Sequence, residues 1–342
     1  MDNWNRVHKC LFLLTICILV ISLLLSGCGG GGAVVEEEEE VVEEEEPVAP
    51  TLEEEEARGN TWSEVSSGTT FRLCGVWGGS PSDVFVVGAA YPERWRGQIL
   101  HYDGSTWISM RKYTSDLYGV WGSSPSDVFA VGEGGIIVHY DGSTWSEMRS
   151  YTTRALCAVW GSSPSDVFAV GEGGAIRHYD GSSWSSMRTG FSQGDLYGVW
   201  GSSPSDVFVV GDDGYILHYD GNSWSKMSSG ATSDLRGVWG SSPSDVFVVG
   251  HTGNIRHYNG SSWSRMTSGT FQTLYDAWGS SPSDVFAVGH DGKILHYDGS
   301  SWSEMNSGAS HQIFGVWGSS PSDVYAVGED GTILHYSEHI QQ

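Results

Sequence analysis

The chain has 342 residues, and its 42 acidic against 17 Lys and Arg side chains leave a formal charge of −25. Thirteen of the carboxylates sit in three runs, Glu36–Glu40, Glu43–Glu46 and Glu53–Glu56, and the rest of the chain is acidic too. Phosphate recognition depends on clustered Lys and Arg, so this balance excludes nucleic acid and anionic lipid headgroups as ligands.

The first element is an address. Arg6, His8 and Lys9 precede an apolar run from Cys10 to Leu25, broken only by Thr15 and Ser22. That is the layout of an export signal, and the run falls short of the about 20 residues a spanning helix needs. It ends in Leu25-Ser26-Gly27-Cys28, which resembles the lipobox of bacterial lipoproteins. The resemblance implies a signal peptide over residues 1–27, cleavage before Cys28 and acyl chains on its thiol. The body would then be lipid-anchored in the cell envelope, facing outside the cytoplasm, with each buried CH₂ contributing about 0.8 kcal/mol to membrane binding. Residues 28–56 follow as a tether. Gly29–Gly32 is flexible, and the mutually repelling glutamates favour an extended, solvated segment.

Residues 57–342 are a repeat domain. Trp-Gly stands at Trp77, Trp121, Trp160, Trp200, Trp239, Trp278 and Trp317, every 39 or 40 residues after a first interval of 44. The second unit shows the pattern. Leu117–Trp121 reads as strand a, Ser123-Ser124-Pro125-Ser126 as a turn with Pro at its second position, and Asp127–Val131 as strand b. Gly132–Gly135 is a tight turn, Ile136–Tyr140 strand c, Asp141-Gly142 a hairpin signal and Thr144–Met148 strand d. Four short strands per repeat, rich in Val, Phe, Tyr and Trp, predict an all-β, closed seven-bladed β-propeller with four antiparallel strands per blade. The first element, Thr61–Val65, matches a strand d, and the last, Ile333–Tyr336, is a strand c without its own d. The N-terminal strand therefore closes the ring against the C-terminal one, leaving no bare sheet edge.

The units built on Trp-Gly-Ser-Ser-Pro-Ser-Asp-Val-Phe-Ala-Val-Gly resemble bacterial propeller repeats of the BNR/Asp-box and photosystem-assembly-factor-like kind, across residues 61–336. The resemblance implies the architecture; propellers host many unrelated functions. In one respect the chain departs from it. An Asp-box places a residue between its Asp and Gly, whereas Asp141-Gly142-Ser143-Thr144-Trp145 has none, which speaks against a sialidase.

Most repeated residues read as scaffold. Fourteen of the sixteen Trp fall in strands a and d, where packing between blades explains them. His101, His139, His178, His218, His257, His296 and His335 recur in strand c. They are too far from the axis to converge on one metal ion. Hydrogen bonds to the aspartates opening strand b (Asp83, Asp127, Asp166, Asp206, Asp245, Asp284, Asp323) are expected, as in WD-type propellers, which have a similar network. Cys74 and Cys157 lie a whole blade apart, too far for a disulfide, and read as free thiols.

Strands alternate in direction, so the a–b and c–d turns share one face and the d–a and b–c turns the other. The first pair barely varies between repeats and the second pair does, which marks the d–a/b–c face as the recognition surface. Blade one inserts Ala89–Gly97 there, and Tyr91, Arg94, Trp95 and Arg96 give that loop the composition of an interface. One position early in strand a varies as Cys74, Tyr118, Cys157, Tyr197, Arg236, Tyr275 and Phe314, and should ring the mouth of the channel. With Phe191, His251 and Phe271 nearby, and Glu133, Glu172, Asp212 and Asp213 as acceptors, the mouth would suit a peptide or a sugar. The reading is a monomeric, membrane-anchored protein- or peptide-binding scaffold, not an enzyme, without cofactor, metal or catalytic residues. A lectin-like carbohydrate-binding propeller is the alternative, with a glycosidase further behind. No Ser/His/Asp, Cys/His or phosphate-loop arrangement stands outside the scaffold.

Overall fold

The computed structural model describes residues 60–89, 97–190 and 194–338. Cys28, the glutamate runs, Phe191 and the insertion residues Tyr91, Arg94, Trp95 and Arg96 lie outside the described residues. The described strands form seven four-stranded antiparallel sheets. In blade two, strand a is Leu117–Ser124, strand b Asp127–Gly132, strand c Ile137–Tyr140 and strand d Trp145–Met148. Strand a runs through the serines expected in the turn, and the b–c connection is a 3₁₀ turn at Glu133–Gly135.

Closure happens as the strand count requires. Asn60–Val65 is the fourth strand of the last blade, antiparallel to Ile333–Glu338 in the register Trp62↔Tyr336 and Val65↔Ile333. Side-chain packing closes the ring as well. The Trp of each strand a lies on the Gly that follows the corresponding Trp of the next blade. A Cβ on Gly122 would come within 2.6 Å of Trp77, on Gly201 within 2.6 Å of Trp160, and on Gly78 within 2.4 Å of Trp317. The last pair joins blade seven to blade one, so each Trp-Gly dipeptide gives its Trp to one blade junction and its Gly to the other.

Strand d contributes a second seam. Trp145 stands edge-on to Phe85 of the preceding blade at 6.2 Å, Trp184 to Phe129 at 6.1 Å, and Trp107 to Tyr325 of blade seven at 6.2 Å. Strand b, fully enclosed between neighbours, is buried almost throughout, as at Val128–Val131. Each blade junction thus carries its own apolar core.

The expected His–Asp network is present in all seven blades. The imidazole Nε2 sits 2.6–2.8 Å from the aspartate Oδ1, from His101–Asp83 at 2.8 Å to His335–Asp323 at 2.6 Å. In blades two to seven a turn serine donates to the other carboxylate oxygen, as Ser123 does to Asp127 at 2.6 Å. Blade one has Gly79 at that place and lacks this bond. Each histidine is committed within its own blade, tying strands a, b and c at the a–b end.

Candidate functional site

The channel mouth is built by a backbone irregularity. In blade two, Leu117 pairs with Gly132 and Gly119 with Val131, so Tyr118 is an extra, unpaired residue: a β-bulge. The same shift occurs at Cys74, Cys157, Tyr197, Arg236, Tyr275 and Phe314. A bulge re-aims one side chain out of the alternation of the strand, and here it brings all seven to the wall of one cavity of about 200 Å³. The glycine ending strand b makes room for it. A Cβ on Gly132 would lie 1.9 Å from the carbonyl oxygen of Asp116, and one on Gly211 2.1 Å from that of Asp195.

The structure thus brings together seven ring positions, five of which sequence reasoning favoured as binding residues: Tyr118, Tyr197, Arg236, Tyr275 and Phe314. They are held by the turns behind them. The Tyr118 hydroxyl donates to Glu133 at 2.9 Å, and the Tyr197 hydroxyl to Asp212 at 2.6 Å. That of Tyr275 donates to Gln312 at 2.7 Å, whose amide donates to Glu329 at 3.3 Å. Burial first, then the acidic hydrogen-bond partner, raises the pKa of Tyr118 and Tyr197, so both stay phenols at neutral pH. Glu133 and Asp212, expected as ligand acceptors, are instead engaged in orienting the ring.

Two guanidinium groups complete it. Arg236 donates to Asp234 at 3.1 Å and lies over the Tyr197 ring at 3.7 Å. Arg72, which sequence reasoning did not single out, lies over Phe314 at 3.9 Å, and Phe314 contacts Tyr275 at 5.1 Å. Stacked pairs of this kind make a rigid amphipathic rim. Cys74 and Cys157 are free; burial pushes their pKa up to about 11 and about 12, so both stay protonated at neutral pH. Among the described residues no group of three or more His, Cys, Asp or Glu is placed to hold a metal ion.

Beyond the rim, the d–a turns expose Phe271 at 91% and Tyr151 at 59%. Tyr151 has φ +58°, at a place where Gly68, Gly190, Gly230, Gly269 and Gly308 have φ between +67° and +76°. A bulky residue there stores about 1–2 kcal/mol of backbone strain, with Arg149 4.7 Å from its ring. Tyr113 and Tyr151 both stand six residues after a strand-d Trp, where the siblings have glycine, but only Tyr151 takes the positive φ.

The opposite face is uniform. In each hairpin described, a side-chain oxygen caps the turn, as Asp141 does by accepting from the amides of Ser143 at 2.9 Å and Thr144 at 2.8 Å. Gly142 packs against Ser126 of the a–b turn.

No protein-family model matches the chain, and no curated protein does. Solved structures do. A structure described as YCF48 bound to D1 peptide superimposes with a TM-score of 0.66 at 16% identity, over 81% of this chain and 97% of that one. YCF48 from Cyanidioschyzon merolae gives 0.66 at 15% identity, over 81% and 98%. The WD40 β-propeller domain of Doa1 gives 0.70 at 13%, over 83% and 98%. What they share with this chain is the fold.

Proposed function

We propose that this propeller is an extracytoplasmic binding module that seats an extended peptide or protein segment across the d–a/b–c mouth of its channel. One observation carries the reading: seven bulges deliver seven side chains to one rim, and these differ from blade to blade while the opposite face repeats. A rim of Tyr, Phe and Arg has the composition of binding hot spots. The solved neighbour described as carrying a D1 peptide supports the reading by showing that this architecture can hold a peptide. Chemistry is assigned to no residue, and the reading is of a binder, not an enzyme.

The lipid on Cys28 and the tether over residues 28–56 would hold this module at a membrane, outside the cytoplasm. Palmitate labelling that disappears in Cys28→Ser checks the anchor. For the site, Tyr197→Ala and Arg236→Ala should each weaken capture of the partner from membrane extract about tenfold or more, as expected of a hot-spot residue. Undiminished capture by both variants removes the channel mouth from the account. Binding of glycans alone on an array would favour a carbohydrate ligand instead, with exposed Phe271 and Tyr151 as stacking platforms.

A further inference from the structure

We propose that the central channel is a binding site for an alkylammonium group, such as a lysine side chain, with the carboxylate of Asp276 as its counter-charge. The inference deepens the reading of the channel mouth as the binding face, and rests on it for the route of entry.

Asp276 follows the bulge residue Tyr275. In the other six blades this place holds Gly75, Gly119, Ala158, Gly198, Gly237 and Gly315. Neighbouring backbones meet there. A Cβ on Gly75 would lie 2.9 Å from the carbonyl oxygen of Tyr118, on Gly198 2.8 Å from that of Arg236, and on Gly237 2.7 Å from the Cα of Asp276. A carboxyl group at the tightest ring of the wall is a break in an otherwise small-residue repeat; it reaches across to the Val316 amide of blade seven, and Asp276 lines the 200 Å³ cavity.

Each of its oxygens accepts from one backbone amide. Asp276 accepts from the amides of Ala277 at 2.9 Å and Val316 at 3.1 Å. A carboxylate has about four acceptor positions, so two remain on a group that, among the described residues, has no ion-pair partner. Arg236 is committed to Asp234 and Tyr197, and Arg72 lies over Phe314. The side chain is half-buried and lines the channel, and desolvation pushes the carboxyl up to about 7. An ammonium group entering the channel would supply the counter-charge that the ionised form lacks.

The surroundings suit one. Tyr118 and Tyr275 line the same cavity, and aromatic faces attract cations. Burial raises the thiols of Cys74 and Cys157 and the phenols of Tyr118, Tyr197 and Tyr275, so these wall groups stay neutral near pH 7. Asp276 is therefore the channel group whose charge changes between pH 6 and 8.

The test is a carbon-13 NMR pH titration of the Asp276 carboxyl in the purified full chain, with and without butylamine, and with 1-butanol as the uncharged counterpart. Saturating butylamine should lower the Asp276 pKa by about one unit or more, equivalent to tenfold tighter binding to the ionised form, while butanol leaves it unchanged. Butylamine affinity should fall about tenfold or more in Asp276→Gly, which restores the residue of the sibling blades, and in Asp276→Asn, which keeps the shape. An unmoved pKa, or equal affinity in both variants, overturns the proposal and makes Asp276 a staple between blades six and seven. A chain that still captures its partner through Tyr197 yet ignores butylamine refutes this inference alone. Butylamine binding beside undiminished capture by the rim variants refutes the reading of the mouth.

Discussion

Trp62→Ala, and deletion of residues 60–66, probe the seam where the first strand completes the last blade. Six residue pairs join the two strands, and the Trp62 indole stands edge-on to Phe286 at 6.1 Å and beside Tyr336 at 5.2 Å. Truncating a buried Trp costs about 3–5 kcal/mol; Trp62 is partly exposed, which places it near the lower end, at about 3 kcal/mol. Each kcal/mol moves the melting temperature of a domain this large by roughly 2–4 °C, so a fall of roughly 6–12 °C is expected. Trp184→Ala, at an interior seam where the ring is only 3% exposed, should cost more, toward 5 kcal/mol on the same scale. The deletion goes further. It bares the 333–338 strand as a sheet edge, and unpaired edges template association, so the truncated chain should melt lower still and aggregate with concentration. Calorimetry combined with light scattering reads both effects. A truncated chain that melts like the parent and stays monomeric would refute the reasoning, because the ring would then not depend on its closing strand.

Tyr151→Gly should raise stability by about 1 kcal/mol in urea denaturation by releasing left-handed backbone strain; an unchanged or lower midpoint means the turn is not strained. Gly201→Ala places a Cβ 2.6 Å from Trp160 and 2.7 Å from the Asp206 carbonyl oxygen, and such overpacking should cost about 1–3 kcal/mol; a neutral effect would show that the blade junction yields. Stability should also fall with rising pH through Asp276. Its carboxyl is raised by burial from 3.8 to about 7, so the folded state keeps a proton that the unfolded chain has lost. That contribution is fully present below about pH 4 and is gone above about pH 7, on the order of 4 kcal/mol in all. Asp276→Gly should flatten the slope; a parallel pH profile for the variant contradicts the assignment.

Much of the fold was legible because a repeat states its architecture seven times. The blade count, the permuted closing strand and the His–Asp pairs follow from residues recurring at fixed offsets, and the hydrogen bonds of His139 and its counterparts show why they recur. The rim position was legible as a variable site inside an invariant unit, but its cause was not. A bulge at Tyr118 is a matter of register, visible only once Leu117 and Gly119 are seen to pair with Gly132 and Val131. The Trp-Gly dipeptide misleads in the same way, since its two residues serve different junctions. Glu133 and Asp212 looked available because the sequence does not show which tyrosine stands behind them. Tyr151 and Asp276 stand where most siblings have glycine, as Tyr113 and Ala158 also do. What each departure does depends on the sign of φ at one and on what faces the carboxyl at the other.

The claim that the d–a/b–c mouth is the recognition surface can be tested most directly by site-specific photo-crosslinking in the full chain. A photoreactive residue is placed at Tyr197 on the rim or at Asn222 in an exposed hairpin of the opposite face, and the membrane extract is irradiated. The account predicts that a partner is trapped from position 197 and not from position 222. Trapping from 222 with none from 197 would put the binding surface on the other side of the ring.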